Sequence, residues 1–430
     1  MESVINRLTV GLSAALSLTA FPAMAVDFSA SGFGTVGYAR SDESFVYQRF
    51  IDNSGTLRRD SIFGVQVDAQ LTNQLAATVQ IKAAPALKDD NKVGGTVQWA
   101  FLSYRPTNDL LLRAGKLRVP LYLYSENLDV GATYDFARLP TEMYSISPNT
   151  DFTGASVSKN WNLDSGEWTL DGYWGKANAT QRLFSRDGIL IPRGPRFVST
   201  EVESAGLALA LRREEDIYRV SVHSATAKFD SLPVTFPFVS LPSPPFPPGL
   251  GYYQTDNAIP GPGVPTVDQI KILVTTLGVN IGLGGDFRLI SEYGQTKVKN
   301  SDLAPDSKRG YVSLLKRIGQ WTPYITHAYL RSNRSRNLYK AVNDAAVPAF
   351  LPGAGLINAA QRAGADGIVA YDQSSWALGT SYSLSPTSKV KAEWMKVRIG
   401  DVSSMVDAPA GGNVRDKGFN VFSLSYNFVF

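Results

Sequence analysis

Apolar and polar residues alternate along most of this chain, in segments separated by polar connections. In one segment Phe63, Val65, Val67, Ala69 and Leu71 share a face, while Gly64, Gln66, Asp68 and Gln70 share the other. Period two is the signature of a β-strand with one greasy and one wettable side. Thr72-Asn73-Gln74 reverses the chain, and Leu75, Ala77, Val79 and Ile81 carry the apolar face back, with Thr78, Gln80 and Lys82 opposite. The same alternation predicts strands over 28–40, 97–104, 110–117, 152–161, 167–177, 202–213, 217–229, 267–284, 287–299, 311–318, 321–332, 373–384, 388–399 and 417–430, sixteen in all. Short turns alternate with long connections from end to end, so eight loops lie on one side. The connection 230–266 holds Pro242, Pro244, Pro245, Pro247 and Pro248, which excludes a central strand there. The connection 333–372 is Ala/Gly-rich.

The last strand closes the argument for the fold class. Phe422, Leu424, Tyr426, Phe428 and Phe430 alternate with Ser423, Ser425, Asn427 and Val429. An open edge in water invites aberrant pairing, whereas a closed barrel in a bilayer pairs its last strand with its first. Aromatics at alternate positions up to a terminal Phe resemble the C-terminal signature of bacterial outer-membrane barrels. The expected fold is therefore all-β: a transmembrane antiparallel barrel of sixteen strands, with short periplasmic turns and long extracellular loops. Sixteen strands leave an aqueous interior.

Composition agrees. Arg7, the apolar run Leu8 to Ala20 and Ala23-Met24-Ala25 read as a secretory signal peptide over 1–25, leaving a barrel over 26–430. Removing it takes Glu2 and Arg7, so the mature chain keeps the formal charge of +4. No other segment is apolar enough for a membrane helix, and mean hydropathy is near zero. The absence of cysteine excludes disulfides, thiolate metal sites and covalently attached haem. Two histidines, His223 and His327, argue against an imidazole metal cluster, and no motif calls for a cofactor. Basic residues are spread out and interleaved with acids, which gives no support to nucleic-acid binding.

The third long connection, 118–150, is unusually apolar for a surface loop. It carries Leu121, Leu123, Leu128, Val130, Phe136, Leu139 and Met143 beside Tyr122, Tyr124, Tyr134 and Tyr144. A segment of that kind gains by folding into the barrel and packing on its wall. The signal peptide, the first strand G-F-G-T-V-G-Y, the sixteen segments, R-A-G-K before this loop and the terminal Phe430 together resemble the Gram-negative general (diffusion) porin family. The resemblance covers the mature chain, although the family's acidic loop motif is not reproduced letter for letter.

The resemblance implies that the third loop forms a constriction whose acids face basic wall residues. The loop candidates are Arg118, Tyr122, Tyr124, Glu126, Asp129, Asp135, Arg138 and Glu142. Strand parity nominates Arg58, Lys82, Arg212, Arg219, Arg288, Lys389 and Lys391 for the wall, with Asp60, Asp68, Asp171, Glu292 and Glu393 on the same faces. The function implied is passive conduction of small hydrophilic solutes and ions, with weak anion preference from the basic wall. The family also implies a Gram-negative outer-membrane location, contact with lipid and lipopolysaccharide, and a homotrimer latched by the loop at 85–95. Recognition of Phe430 by the barrel-assembly machinery belongs with these. Calcium between loop carboxylates is left open.

Other readings remain. One is a substrate-specific channel for a sugar or small organic anion, with the loops at 230–266 and 333–372 as lids. Tyr122 and Tyr124 would then offer a stacking track, or simply pack on the wall. A structural barrel would need a fully plugged lumen. An enzymatic barrel needs a nucleophile with a base in reach, and no Ser-centred motif stands near His327.

Overall fold

The computed structural model describes residues 26–147 and 150–430. The expected signal peptide, 1–25, lies outside the described residues. Sixteen strands form a closed barrel. They are β1 (Asp27–Ser41), β2 (Ile62–Gln70), β3 (Leu75–Pro85), β4 (Val93–Thr107), β5 (Leu110–Arg118), β6 (Asp151–Leu163), β7 (Gly166–Ser185) and β8 (Gly194–Arg213). The second half comprises β9 (Asp216–Pro233), β10 (Thr266–Gly284), β11 (Phe287–Lys299), β12 (Ser307–Lys316), β13 (Trp321–Ser332), β14 (Tyr371–Ser385), β15 (Ser388–Ser403) and β16 (Gly418–Val429). Each strand pairs antiparallel with its neighbours in chain order, and β1 closes on β16 with Thr35 opposite Asn427.

The Gly-rich start of β1 has a steric reason at this seam. A Cβ on Gly32 would lie 2.3 Å from Cζ of Phe430, and one on Gly34 would lie 2.4 Å from Cζ of Phe428. The terminal rings lie across the two glycines. Phe430 then exchanges backbone hydrogen bonds with Gly32, at 2.8 and 3.0 Å, and completes the ladder.

The apolar face of each strand points outward. Val65, Leu102, Leu207, Leu277, Leu378 and Leu424 are all exposed, a surface that only a bilayer satisfies. Trp161 and Trp321 mark the turn end of this belt, and Trp174, Trp376 and Trp394 lie toward the loops. On the turn side the reversals are tight. Gly284, Gly285 and Asp286 turn β10 into β11 with φ of 82°, 57° and 63°, a left-handed path that glycine takes without strain.

The loop side differs from the sequence expectation most in two places. Strands expected to stop at 177 and resume at 202 run on instead, β7 to Ser185 and β8 from Gly194. The connection 333–372 contains two helices. We number the helices α1 (Thr141–Tyr144, within the third loop), α2 (Arg334–Asp344) and α3 (Ala354–Asp366). The alanines read as loop are the strongest helix formers, and Ala354 and Ala360 of α3 pack with Tyr252, Ile259 and Val347 of neighbouring loops. Arg186 ties these loops together: its guanidinium meets Asp366 at 2.7 Å, Asn343 at 2.6 Å and the carbonyl of Gly412 at 3.0 Å. Arg182 similarly holds Asp407 at 2.7 Å and Asp90 at 2.8 Å.

Candidate functional site

The third loop folds into the lumen. Tyr122, Phe136, Leu139 and Met143 are buried against Ile290, Tyr311, Leu315, Tyr324 and Ala328 on β11, β12 and β13. Burying four such side chains is worth on the order of 6–12 kcal/mol before the cost of ordering the loop is subtracted. Tyr124 packs edge-on against Tyr134 and Phe136, at ring distances of 5.7 and 6.2 Å. Tyr122 accepts a hydrogen bond from Arg309 at 3.0 Å. Both candidate tyrosines are thus packed within the loop's seat.

Polar wall residues complete the seat. Glu292 accepts from the backbone N–H of Leu123 and from the Tyr311 hydroxyl, each at 2.8 Å. Tyr324 accepts from Ala137 N–H at 2.9 Å and donates to Glu393 at 2.8 Å. Lys391 donates to the carbonyls of Gly131 and Phe136 at 2.6 and 2.9 Å. Arg219 donates to the carbonyl of Pro120 at 2.6 Å. Residues from β9 round to β15 therefore hold the loop.

The loop's charges are mostly spent on this seat. Asp129 meets Arg118 at 2.7 Å and Lys82 at 3.0 Å. Burial works against its charged form, yet the cations of Lys82 and Arg118 hold its carboxyl below the usual range. Asp135 meets Lys389 at 2.7 Å and accepts from Ser381 at 2.8 Å, with the same net lowering against burial. Arg138 forks onto Asp60, with one contact at 3.1 Å. Glu142, in α1, is fully buried and accepts from Gln373 at 2.9 Å; burial pushes its carboxyl up. Glu126 alone among the four loop carboxylates candidates is exposed and pairs with no described residue.

One flank of the barrel is left uncovered. A cavity of about 200 Å³ lies between the loop's near edge, with Pro120 and Glu126, and the wall formed by β4 to β7. Trp99, Phe101, Arg113, Asp171 and Tyr173 line it. A second cavity of about 420 Å³ continues toward the turns, past Asp68, Gln70 and Gln74, and shares Trp99, Phe101, Leu111 and Arg113 with the first. Arg113 lies 5.5 Å from the centre of the Phe101 ring and pairs with no described carboxylate. Tyr173 is fixed from behind by His223 at 3.1 Å, and His223 in turn by Ser221 at 2.8 Å.

Several wall candidates belong elsewhere. Arg58 is not on the wall. It precedes β2, lies in the first loop and donates to the carbonyls of Asp90 and Asn91 at 2.8 and 2.9 Å. Parity was extended there past the start of a strand. Arg288 sits near the turns, bonded to Asn280 at 2.7 Å and close to Glu215. Arg212 is exposed at the turn end of β8. Lys82, Arg219, Lys389 and Lys391 face the lumen but serve the loop rather than open water. The second loop is held by its own chain, with Asp90 bonded to Arg49 and Arg182 at 2.8 Å each.

The open flank was not singled out in the sequence. Counted by twos from Val97, which faces outward, Trp99 and Phe101 fall on the lipid side. A bulge changes that: Gln80 pairs with Trp99 but Ile81 pairs with Val97, leaving Gln98 over. The extra residue turns both rings inward. Arg113 stands in the R-A-G-K segment noticed before the third loop, and its inward parity was the available signal.

No protein-family model matches the chain, and no curated protein does. Solved structures do resemble it. Outer-membrane expressed OmpT of Vibrio cholerae matches at a TM-score of 0.50 and 13% identity, over 96% of this chain and 100% of that one. The anion-selective porin from Comamonas acidovorans matches at 0.50 and 12%, over 94% and 100%. The outer membrane channel DcaP of Acinetobacter baumannii matches at 0.50 and 10%, over 96% and 100%. The likeness is one of fold: this chain has the sixteen-stranded barrel of outer-membrane porins and channels.

Proposed function

We propose that this protein is an outer-membrane channel of the porin type. It passes small hydrophilic solutes and ions by diffusion between the third loop and the β4–β7 wall. The observation that carries the reading is the pair of contiguous cavities on that flank, lined by Arg113, Glu126 and Asp171 as well as aromatic rings. Charge rings and width set the selectivity of such a passage.

The weak anion preference implied by a basic wall has little left to rest on. Lys82 and Lys389 are neutralised by loop carboxylates, and Lys391 and Arg219 are occupied by loop carbonyls. Two cations in no ion pair among the described residues, Arg113 and Arg105, stand with the carboxylates of Glu126, Asp171 and Asp68 along the open flank. Selectivity in this reading is modest and set by those charged groups. The homotrimer and the part played by Phe430 in assembly belong to the proposal too.

Planar-bilayer conductance of the refolded protein in potassium chloride tests the reading, with reversal potentials in a salt gradient. Stepwise conductance of small unit size supports it. A folded barrel with no conductance would overturn it and favour a plugged, structural barrel, because the loop is bonded to most of the wall.

A further inference from the structure

The open flank has the chemistry of a binding site and not merely of a hole. Its donors are concentrated where the two cavities meet. Arg113 lies over Phe101 and its Nε is buried with no described acceptor; Nε1 of Trp99 is likewise buried without one. Buried donors of this kind are costly unless something accepts from them. Both side chains line both cavities. Flat surfaces flank the donors: the Trp99 and Phe101 rings, 6.2 Å apart, on β4, and Tyr173 on β7. Leu117 and Pro120 add apolar surface, and Glu126 and Asp171 supply acceptors.

We propose that this flank holds a single-ring aromatic carboxylate carrying a hydroxyl, bound in transit through the pore. The carboxylate takes the terminal nitrogens of the Arg113 guanidinium, and the Trp99 ring turns its N–H to the same group. The ring lies among Phe101, Trp99 and Tyr173, and the hydroxyl donates to Asp171 or Glu126. A guanidinium backed by a ring is well suited to a planar carboxylate with an aromatic body. The first cavity, about 200 Å³, equals the space of roughly seven waters, which is room enough for one ring. A bare inorganic anion would leave the rings unused, and a neutral sugar would leave Arg113 unpaired.

The inference rests on the diffusion-channel reading, and one experiment separates their failures. Current through single channels in potassium chloride is recorded with 4-hydroxybenzoate added, against acetate (charge without ring) and 4-hydroxybenzyl alcohol (ring without charge). The expected result is brief interruptions with 4-hydroxybenzoate alone, with a dwell time at least tenfold shorter in Arg113→Gln and several-fold shorter in Trp99→Phe, which keeps a ring and loses the N–H. Folding of each variant is checked by heat-modifiable migration on gels. Arg113→Lys, which keeps the charge without the planar fork, provides a second folded variant and should recover only part of the dwell. Open channels without interruptions by 4-hydroxybenzoate would overturn the inference and leave the channel reading standing. Interruptions equal for acetate, or unchanged in Arg113→Gln and Arg113→Lys, would overturn it as well. Absence of any current in the wild type would overturn the channel reading itself.

Discussion

Arg118 and Asp129 close the third loop upon itself, their charged groups 2.7 Å apart and the Arg118 side chain only 4% exposed. The carboxylate that a constriction would present to water is thereby committed to the root of its own loop, with Lys82 at 3.0 Å on its other oxygen. Glu126, three residues earlier, is the carboxylate left facing the open cavity. The two should behave oppositely when neutralised. Asp129→Asn leaves a buried guanidinium unpaired, a loss of about 3–5 kcal/mol for such pairs. It should loosen the loop, seen as noisier, larger conductance steps and faster proteolysis within 118–147. Glu126→Gln should leave step size and proteolysis nearly unchanged while shifting the reversal potential toward anions. Equal reversal-potential shifts in the two variants, with no change in noise, would refute this division of roles.

Lys391 holds the far side of the loop by two backbone carbonyls, those of Gly131 and Phe136. Lys391→Met keeps the stem and removes the donor, leaving two carbonyls unpaired at about 1–3 kcal/mol each. The barrel ladders do not depend on that ammonium. Thermal unfolding of the barrel should therefore move little, while open-channel noise rises. A large fall in barrel stability with a quiet channel would show that Lys391 supports the wall instead.

Acid should release the loop. Asp60, Asp129 and Asp135 are each held below their usual value of 3.8, burial opposing and the cations of Arg138, of Lys82 with Arg118, and of Lys389 prevailing. A lowered carboxyl contributes stability above its unfolded value and loses it as pH falls through the folded one. Glu142 has the opposite sign: burial raises it above 4.5, so its contribution is greatest at low pH and declines as pH rises. The three aspartates carry the loop's ion pairs, which acid breaks, whereas Glu142 is held by the hydrogen bond from Gln373. Lowering the pH from 7 to below 3.8 should raise conductance noise and proteolytic sensitivity of the loop, reversibly. A loop equally protected at both pH values would contradict this.

The fold was legible because period-two alternation recurs along most strands and one face must be apolar. Parity also places Lys82, Lys389 and Lys391 on the lumen face. Nothing in the sequence says that Lys391 bonds to carbonyls 255 and 260 positions away. Arg58 was misplaced because alternation carries no mark of where a strand starts. Trp99 and Phe101 were hidden by one extra residue, Gln98, which reverses parity without altering composition. The helices of the seventh connection were missed since alanine and glycine together read as a flexible loop, although alanine favours helix.

The outer rim offers a test of lipid contact. Lys271 pairs in register with Lys299, Lys297 with Leu273, and Lys308 with Gln295. All four lysines are exposed, share the outward parity of Leu273, Tyr293 and Val312, and form no ion pair among the described residues. Adjacent strands lie roughly 5 Å apart, so the patch is compact, and it sits at the loop end of the apolar belt. Phosphorylated lipid headgroups would relieve its repulsion. The wild type should unfold at higher temperature in vesicles with anionic phospholipid than in neutral ones, by several degrees. Replacing the four lysines with glutamine should abolish the difference. An unchanged difference would show that the patch does not engage the headgroups.

Gly131 lies on the seam where the barrel closes. A Cβ there would fall 2.0 Å from Oδ1 of Asn427 on β16 and 3.0 Å from Oγ1 of Thr35 on β1. Those two side chains are themselves hydrogen-bonded at 2.9 Å across the seam. A larger residue must displace the Asn427 side chain, lift the loop or push the two strands apart; Asn427 is buried and bonded to Thr35 and Ser425, and the strands are held by a continuous ladder from Phe33 to Ser41. Lifting is the cheaper outcome. Gly131→Ala should thus weaken the loop's seat, raising noise and proteolysis, with the barrel's unfolding temperature nearly unchanged. Asn427→Ala removes the nearest obstructing atom, so the double variant should regain part of the quiet, protected state. A fall in barrel stability for Gly131→Ala that Asn427→Ala does not relieve would mean that the seam, and not the loop, gives way.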